Sequence, residues 1–251
     1  RVIFMKKTLN RFKSFANQVQ IIIKSMKFKV QRNYYTAEKA DNFKVFEEIY
    51  SNNVWGGDLN SDELYSGGGS HDPNIINPYI DYVNKFLNSF ESQPVVVDLG
   101  CGDFNVGSQI YDSSRMYFAC DVAPELIEQN KRNFTSSKIK FLNLDITKDP
   151  LPAGDVVLLR QVFQHLSNSD ISKVLNQILS KYTYLILTEH LPNSFFVPNM
   201  DKVTGGDIRL NFRSGVVLTK APFNLEQNLM MHSFSIKNKK DKIETSTYKL
   251  I

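Results

Sequence analysis

The segment VVVDLGCGDF, from Val95 to Phe104, decides how the rest of this sequence is interpreted. It opens as an apolar, β-branched run typical of a buried strand, and the run leads directly into a glycine turn. A turn that holds a dinucleotide carries a third glycine, but Asn105 occupies that position here. Asp98 and Asp103 flank the turn. Carboxylates are poor neighbours for a pyrophosphate, so the turn favours a ligand with a cationic ammonium group.

Two further acidic residues end the next two predicted strands. Asp121 follows the second strand in FACDVAPELIEQN, and Asp145 follows the third in FLNLDIT. In open α/β sheets, ligands bind in the crevice outside the carboxyl ends of the strands. A carboxylate at Asp121 can accept both hydroxyls of a ribose. The side chain of Asp145 or the backbone of Ile146 can address an adenine edge. Helix capping is the alternative role of each acid.

Strands and helices alternate after Pro94, which predicts an α/β fold with a mostly parallel sheet covered on both faces. Two late segments flank a lysine-rich turn and predict an antiparallel hairpin that closes the sheet. The predicted strands are 95–99, 116–120, 139–144, 155–159, 184–188, 231–237 and 245–251. The predicted helices are 43–50, 77–90, 105–111, 123–133 and 168–180.

The order of four blocks resembles the class I S-adenosylmethionine-dependent methyltransferases. The blocks are VVVDLGCGDF, FACDVAPELIEQN, KFLNLDIT and DVVLLRQVFQHL, within residues 94–190. The resemblance implies a Rossmann-like, seven-stranded sheet with a terminal antiparallel hairpin, an enzyme, and S-adenosylmethionine as cofactor. It assigns Asp98, Gly100, Cys101 and Gly102 to the methionine end, Asp121 and Val122 to the ribose, Asp145 and Ile146 to adenine, and Arg160 and Gln161 to the reactive methyl.

A weaker resemblance extends over the whole chain. The blocks IYSNNVWGG, YSGGGS and TGGDIRLNFRSGVVLTKAPFNL are similar to a bacterial methyltransferase group linked to surface-glycan biosynthesis. It implies O-methylation of a sugar in a surface-glycan or capsule precursor. N-methylation of a small molecule, RNA or protein is the alternative, as is an interaction protein that binds the cofactor without turnover.

Candidate catalytic groups lie at the ends of the fourth and fifth strands. A hydroxyl acceptor needs a nearby base, so His165, Glu189 and His190 are candidates. Glu189 acts itself or orients His190, and His165 is otherwise a packed histidine. The predicted substrate-binding residues are His71, Asp207, Arg209 and Arg213. The two arginines suit a phosphate or carboxylate, unless Arg209 forms a salt bridge with Asp207. No ligand spacing suggests a metal.

The glycine-rich segment YSGGGS predicts a lid over the cofactor crevice or a flexible linker. As a lid, it would place Ser70 against the methionine end of the cofactor. Trp55, the single tryptophan, would wall the same pocket. Closing such a lid would exclude water and align the acceptor.

Charge divides the 251-residue chain into an arm and a body. Residues 1–33 hold nine Lys or Arg and no acid, whereas the rest has a net charge of −5. We predict a basic amphipathic helical arm (1–40), a helical lid segment (41–92) and a methyltransferase domain (93–251) with a substrate insert at about 191–228. The arm predicts contact with a membrane surface or a homodimer through residues 5–33, with no clear nucleic-acid partner. Two cysteines and the lack of a signal peptide predict a cytoplasmic protein, perhaps peripheral at the inner membrane face.

Overall fold

A computed structural model of the protein describes residues 41–57 and 63–251. The helices are α1 (Asn42–Ser51), α2 (Pro73–Leu87), α3 (Pro124–Asn133) and α4 (Asn168–Lys181). The strands are β1 (Val95–Leu99), β2 (Met116–Asp121), β3 (Ile139–Asn143), β4 (Val156–Arg160), β5 (Tyr184–Pro192), β6 (Met230–Lys237) and β7 (Asp241–Lys249).

The strands form one seven-stranded sheet in the order β3-β2-β1-β4-β5-β7-β6. The first five strands are parallel, whereas β7 pairs antiparallel with both β5 and β6. This confirms the predicted α/β class and the closing hairpin. The chain order reverses beside β1, and such a switch point in an open sheet is where ligands bind.

The sheet is buried on both faces because successive side chains in its strands point to opposite sides. Val96 and Leu158 face α2, which contributes Ile80, Val83 and other apolar residues. Val97, Leu99, Val157 and Leu159 face α4 and the apolar side of α1. The strands therefore read as continuous apolar runs, as strands of a doubly covered parallel sheet should.

Two predicted elements were wrong in detail. The predicted helix 105–111 is instead a pair of 3₁₀ turns, Gly107–Gln109 and Tyr111–Ser113. Strand β5 continues to Pro192, four residues beyond the prediction, because its whole length pairs with β7. The other predicted strands and helices are present, with ends shifted by up to four residues.

The predicted basic arm, residues 1–40, lies outside the described residues, so its contact with a membrane or a second copy stays a prediction. In the part of the chain that the structure describes, no helix is both long and apolar enough to span a membrane. The predicted lid segment packs against the domain: Phe46 and Ile49 of α1 join the core beneath the cavity described next.

Candidate active site

A cavity of about 860 Å³ lies at the carboxyl ends of β1, β2, β4 and β5. Its volume is near the upper end of the roughly 300–1,000 Å³ typical of small-molecule sites, so it has room for more than one small ligand. Predicted cofactor residues that line it are Trp55, Ser70, Asp98, Gly100, Cys101, Gly102, Asp121, Val122, Asp145, Ile146, Arg160 and Gln161. Predicted catalytic or substrate residues that line it are His165, His190 and Asp207.

Opposite charges meet where β1 and β4 end. The Tyr117 hydroxyl donates to Asp98 Oδ2 at 2.9 Å. Burial raises the pKa of Asp98 to about 7, although that hydrogen bond and the Arg160 charge both favour ionisation. Arg160 lies over the Tyr79 ring, with Cζ 5.5 Å from the ring centroid. A cationic ligand beside Asp98 would stabilise its ionised form.

Asp121 organises the glycine turn from the end of β2. Its Oδ2 accepts the Gly102 N–H at 3.0 Å, and its Oδ1 accepts the Ala123 N–H at 3.1 Å. Burial raises the pKa of Asp121, against the effect of these hydrogen bonds. Each carboxylate oxygen keeps a lone pair, because such an oxygen can accept two hydrogen bonds. The pair of oxygens can therefore still accept the hydroxyls of a ribose.

The Asp145 carboxylate is already occupied by protein groups. It accepts hydrogen bonds from Asn42 Nδ2, from the Thr147 N–H and hydroxyl, and it pairs with Lys148 Nζ at 3.0 Å. Burial alone would raise the pKa of Asp145, but the Thr147, Lys148 and Asn42 contacts outweigh it and lower the pKa. Of the two predicted adenine contacts, the structure leaves the backbone of Ile146 as the available one.

A segment that we call the glycine loop (Tyr65–His71) lies over the turn and is tied to it. Asp103 Oδ2 accepts the Ser66 N–H at 2.8 Å, and the Asp103 N–H donates to Ser66 Oγ at 2.6 Å. His71 Nε2 is 2.7 Å from the same Asp103 oxygen. The interpretation of Asp103 as a partner for a cationic ligand was therefore wrong, because this carboxylate holds the loop.

The loop is also anchored from β4. Arg160 Nη1 donates to Ser70 Oγ at 3.1 Å, and Nη2 donates to the Gly69 carbonyl. Asn105, at the position of the missing third glycine, donates from Nδ2 to the Ser70 carbonyl at 2.7 Å. The glycine loop thus covers the methionine end of the predicted cofactor site.

On the acceptor side, His190 lines the cavity from β5. Its Nε2 lies 2.9 Å from Asp241 Oδ1, at the start of β7. The sequence predicted Glu189 as the group that orients His190, but Asp241 has this place. Pairing β5 with β7 places Asp241 opposite Pro192, so the carboxylate reaches the histidine from the neighbouring strand.

His165 belongs to a cluster of aromatic rings at the cavity wall. Its ring centroid lies 4.9 Å from that of Trp55 and 6.5 Å from that of Phe46. Trp55 is held further by a hydrogen bond from Nε1 to the Gly206 carbonyl at 3.4 Å. Burial and the nearby Lys202 charge lower the pKa of His165 to about 4. His165 is therefore neutral near pH 7 and a weak base.

Glu189 and Arg209 do not line the cavity, and the structure corrects both predicted roles. Glu189 is 2% exposed and faces the side of the sheet that carries α4. Arg209 is fully buried and donates to the Phe163 and Leu166 carbonyls and to Asn168 Oδ1. These bonds fix the turn that carries His165, and they replace the predicted alternative of a salt bridge to Asp207.

Two other predicted substrate residues lie outside the cavity. Arg213 is exposed and donates to Ser194 Oγ at 3.2 Å. His71 stacks on Tyr65, with ring centroids 4.4 Å apart, and contacts Asp103. Asp207 remains at the rim. Of the four predicted substrate residues, only Asp207 is in a position to meet an acceptor.

Sequence reasoning missed four residues that line or shape the site. They are Asn42, Tyr79, Gln164 and Asp241. Asn42 and Asp241 act across 103 and 51 residues of chain, so local spacing could not have found them. Gln164 immediately precedes His165 in the QVFQHL block, and this neighbour relation was the one available indication.

The residues present fit S-adenosylmethionine. Asp98 offers a carboxylate to an ammonium group, Asp121 offers acceptors to a ribose, and Ile146 lies beside the apolar Val122 and Leu144. The buried Nε of Arg160 has no hydrogen-bond partner among the described residues. These groups are provided by four different strand ends, and each matches one part of the cofactor.

Comparisons with known proteins agree with this geometry. Residues 96–181 match a protein family described as "Methyltransferase domain". No curated protein matches the chain. Among solved structures, the N-methyltransferase NodS from Bradyrhizobium japonicum WM9, in complex with S-adenosyl-L-homocysteine, is similar with a TM-score of 0.58 and 10% identity, over 80% of this chain and 98% of that one.

A SAM-dependent methyltransferase from Leishmania major is also similar, with a TM-score of 0.52 and 12% identity, over 72% of this chain and 75% of that one. At these identities the likenesses show the fold. The matched family covers the glycine turn and the strand ends that carry Asp98, Asp121 and Asp145. Residues 96–181 are therefore a methyltransferase domain, and S-adenosylmethionine is its cofactor.

Proposed function

We propose that this protein methylates a hydroxyl group of a small, uncharged polar acceptor, a sugar of a surface-glycan or capsule precursor. The observation that carries the proposal is the His190–Asp241 pair in the wall of the cofactor cavity, with Nε2 and Oδ1 2.9 Å apart. A hydroxyl is a weak nucleophile that gains from a positioned base, and a histidine held by a carboxylate is such a base.

The charges of the cavity favour a neutral acceptor. Within the described residues, Arg160 is the single Lys or Arg that lines the cavity, and the glycine loop engages it. Arg209 and Arg213, the predicted phosphate ligands, are directed elsewhere. The acceptor side instead presents Asp207, Asn211 and the indole of Trp55. Carboxylate and amide groups can hydrogen-bond sugar hydroxyls, and an aromatic ring can cover an apolar sugar face.

The chain's own groups would work as follows. When bound, S-adenosylmethionine supplies a methyl group on a sulfonium, which is already an activated leaving group. Asp241 holds His190 at Nε2, which leaves Nδ1 to take the proton of the acceptor hydroxyl. Trp55 and the glycine loop exclude water from the cavity and align the acceptor.

The test measures S-adenosylhomocysteine formation with a panel of neutral glycosides, nucleotide sugars and amines. We expect turnover with neutral glycosides, and we expect His190→Asn to lower kcat by about 100-fold or more, since general bases typically contribute 10²–10⁴-fold. Binding of S-adenosylhomocysteine by this variant should be unchanged. Turnover restricted to amines would refute hydroxyl methylation.

Two variants make the assay specific. Asp241→Asn should lower kcat less than His190→Asn and move the acid limb of the pH profile to lower pH, because the carboxylate no longer stabilises the protonated imidazole. His232→Asn is the matched control, because His232 stacks on Tyr82 at 5.2 Å and lies outside the cavity. Equal losses in the His190 and His232 variants would contradict a role for His190 as base.

A further inference from the structure

Arg160 has unused donors at the methionine end of the cavity. Nη1 and Nη2 bind Ser70 and Gly69 of the glycine loop. The buried Nε has no partner in the described parts of the chain. A guanidinium has five N–H groups, so three remain after these two bonds. An arginine placed in this way is suited to a carboxylate, which it can bind with two parallel hydrogen bonds.

The neighbouring charge identifies which carboxylate matches. Asp98 ends β1, Arg160 ends the adjacent β4, and each influences the ionisation of the other. The site therefore presents one anion and one cation side by side. The methionine end of the cofactor carries an ammonium and a carboxylate on the same carbon atom. A zwitterionic ligand group matches a pair of opposite charges on neighbouring strands.

We propose that Arg160 binds the α-carboxylate of S-adenosylmethionine while it holds the glycine loop, so that closure of the loop depends on the amino-acid end of the cofactor. Asp98 receives the ammonium group of the same end. The guanidinium then joins three parts: β4 through its own backbone, the loop through Gly69 and Ser70, and the cofactor through its remaining donors.

This arrangement makes the protein selective against cofactor analogues that lack the carboxylate. Such a ligand would keep its adenosine and sulfonium contacts but would leave the Arg160 donors unpaired. An unmet charged hydrogen bond corresponds to roughly a 10- to 100-fold loss of affinity. Because Arg160 also contacts the loop, the analogue should protect residues 66–71 less well against hydrogen exchange.

The experiment compares S-adenosylmethionine with decarboxylated S-adenosylmethionine by calorimetry on the full chain. We expect the wild type to bind the intact cofactor at least 10-fold more tightly. We also expect the intact cofactor to slow amide exchange in residues 66–71 more than the decarboxylated one does. Equal affinity of the wild type for the two ligands would overturn the proposal without recourse to any variant. The same result is expected if Arg160 binds a carboxylate of the acceptor instead.

Variants then assign the selectivity to Arg160. Arg160→Gln should bind both ligands with the same affinity, close to that of the wild type for the decarboxylated form. Arg160→Lys should restore part of the preference, since it keeps the charge but not the paired donors. Arg213→Gln, an exposed arginine outside the cavity, should keep the full preference. A variant at Arg160 that binds both ligands equally poorly, below the wild-type value for the decarboxylated form, would indicate a purely structural role and contradict the proposal.

Discussion

Glu189 is the residue whose ionisation most directly opposes folding. It is 2% exposed, and neither carboxylate oxygen makes a hydrogen bond of good geometry with the described residues. Burial raises the pKa of Glu189 to about 8, while the charge of Arg209 and the backbone amides of Phe163 and Gln164 act in the opposite direction. The folded chain therefore holds a proton that the unfolded chain releases near pH 4.5.

This difference in pKa predicts a pH-dependent effect of Glu189→Gln. The stability that the protonated carboxyl contributes is fully present below pH 4.5 and is lost as the pH rises to about 8. Glutamine has no such dependence. The melting temperature of Glu189→Gln relative to wild type should therefore be higher at pH 8.5 than at pH 5, by an amount that reflects a few kcal/mol of linkage, on the order of 1.4 kcal/mol per pKa unit.

Thermal unfolding of both proteins across this pH range checks the prediction. Glu226→Gln is the matched control, because Glu226 is exposed and no shift with pH is expected from it. A difference between Glu189→Gln and wild type that is constant from pH 5 to pH 8.5 would show that Glu189 ionises freely in the folded chain.

At the scale of elements, the glycine turn and the glycine loop behave as one unit. Gly102 has φ of +58°, and a Cβ atom there would lie 2.3 Å from Ser66 Oγ. Ser66 in turn exchanges hydrogen bonds with Asp103. A side chain at Gly102 would therefore strain the turn and push the loop away from it.

Gly102→Ala should lower the free energy of unfolding by about 2–4 kcal/mol, from the left-handed backbone and the close contact together. It should also weaken S-adenosylhomocysteine binding, because the loop no longer covers the site. Gly68→Ala is the control within the loop itself, since its Cβ would come no closer than 4.0 Å to the Tyr65 hydroxyl. Denaturant unfolding and calorimetry measure the two effects, and similar losses in both variants would contradict the close contact at Ser66.

The elements that could be predicted are those whose pattern is local. Strand β1 was predicted with its observed bounds because a continuous apolar run between breakers has one reading in a covered sheet. The end of β5 could not be predicted, since residues 189–192 are strand only through their pairing with β7. The same pairing brings Asp241 to His190. A contact set by antiparallel register leaves no trace in the spacing of the sequence.

At the scale of the whole molecule, the two halves of the site differ in how far the sequence determines them. The cofactor half is made by strand ends, where each acidic residue follows its own strand and the sheet order brings them together. The acceptor half depends on the 191–229 region, whose contacts are long-range. Arg209 illustrates this, since a charged residue predicted at the surface is the largest fully buried side chain of the described chain.

Because the cofactor site joins four strand ends, binding there should stabilise the molecule as a whole. A ligand at 100 times its Kd contributes about 2.7 kcal/mol, which raises the melting temperature of a chain of this size by about 5–10 °C. S-adenosylhomocysteine should produce such a rise. NAD at the same concentration should not, because Asn105 stands where a pyrophosphate-binding turn needs glycine, and Asp98 and Asp103 repel phosphate.

Asp121→Asn should reduce the rise caused by S-adenosylhomocysteine, because it replaces a carboxylate oxygen that can accept a ribose hydroxyl with an amide that donates. The variant also meets the Gly102 and Ala123 N–H groups with one acceptor instead of two, so its own melting temperature should be lower. Asp112→Asn, with an 80% exposed side chain, should leave both quantities unchanged. Stabilisation by NAD equal to that by S-adenosylhomocysteine, or a full response in Asp121→Asn, would mean that the acids at the strand ends do not select the cofactor.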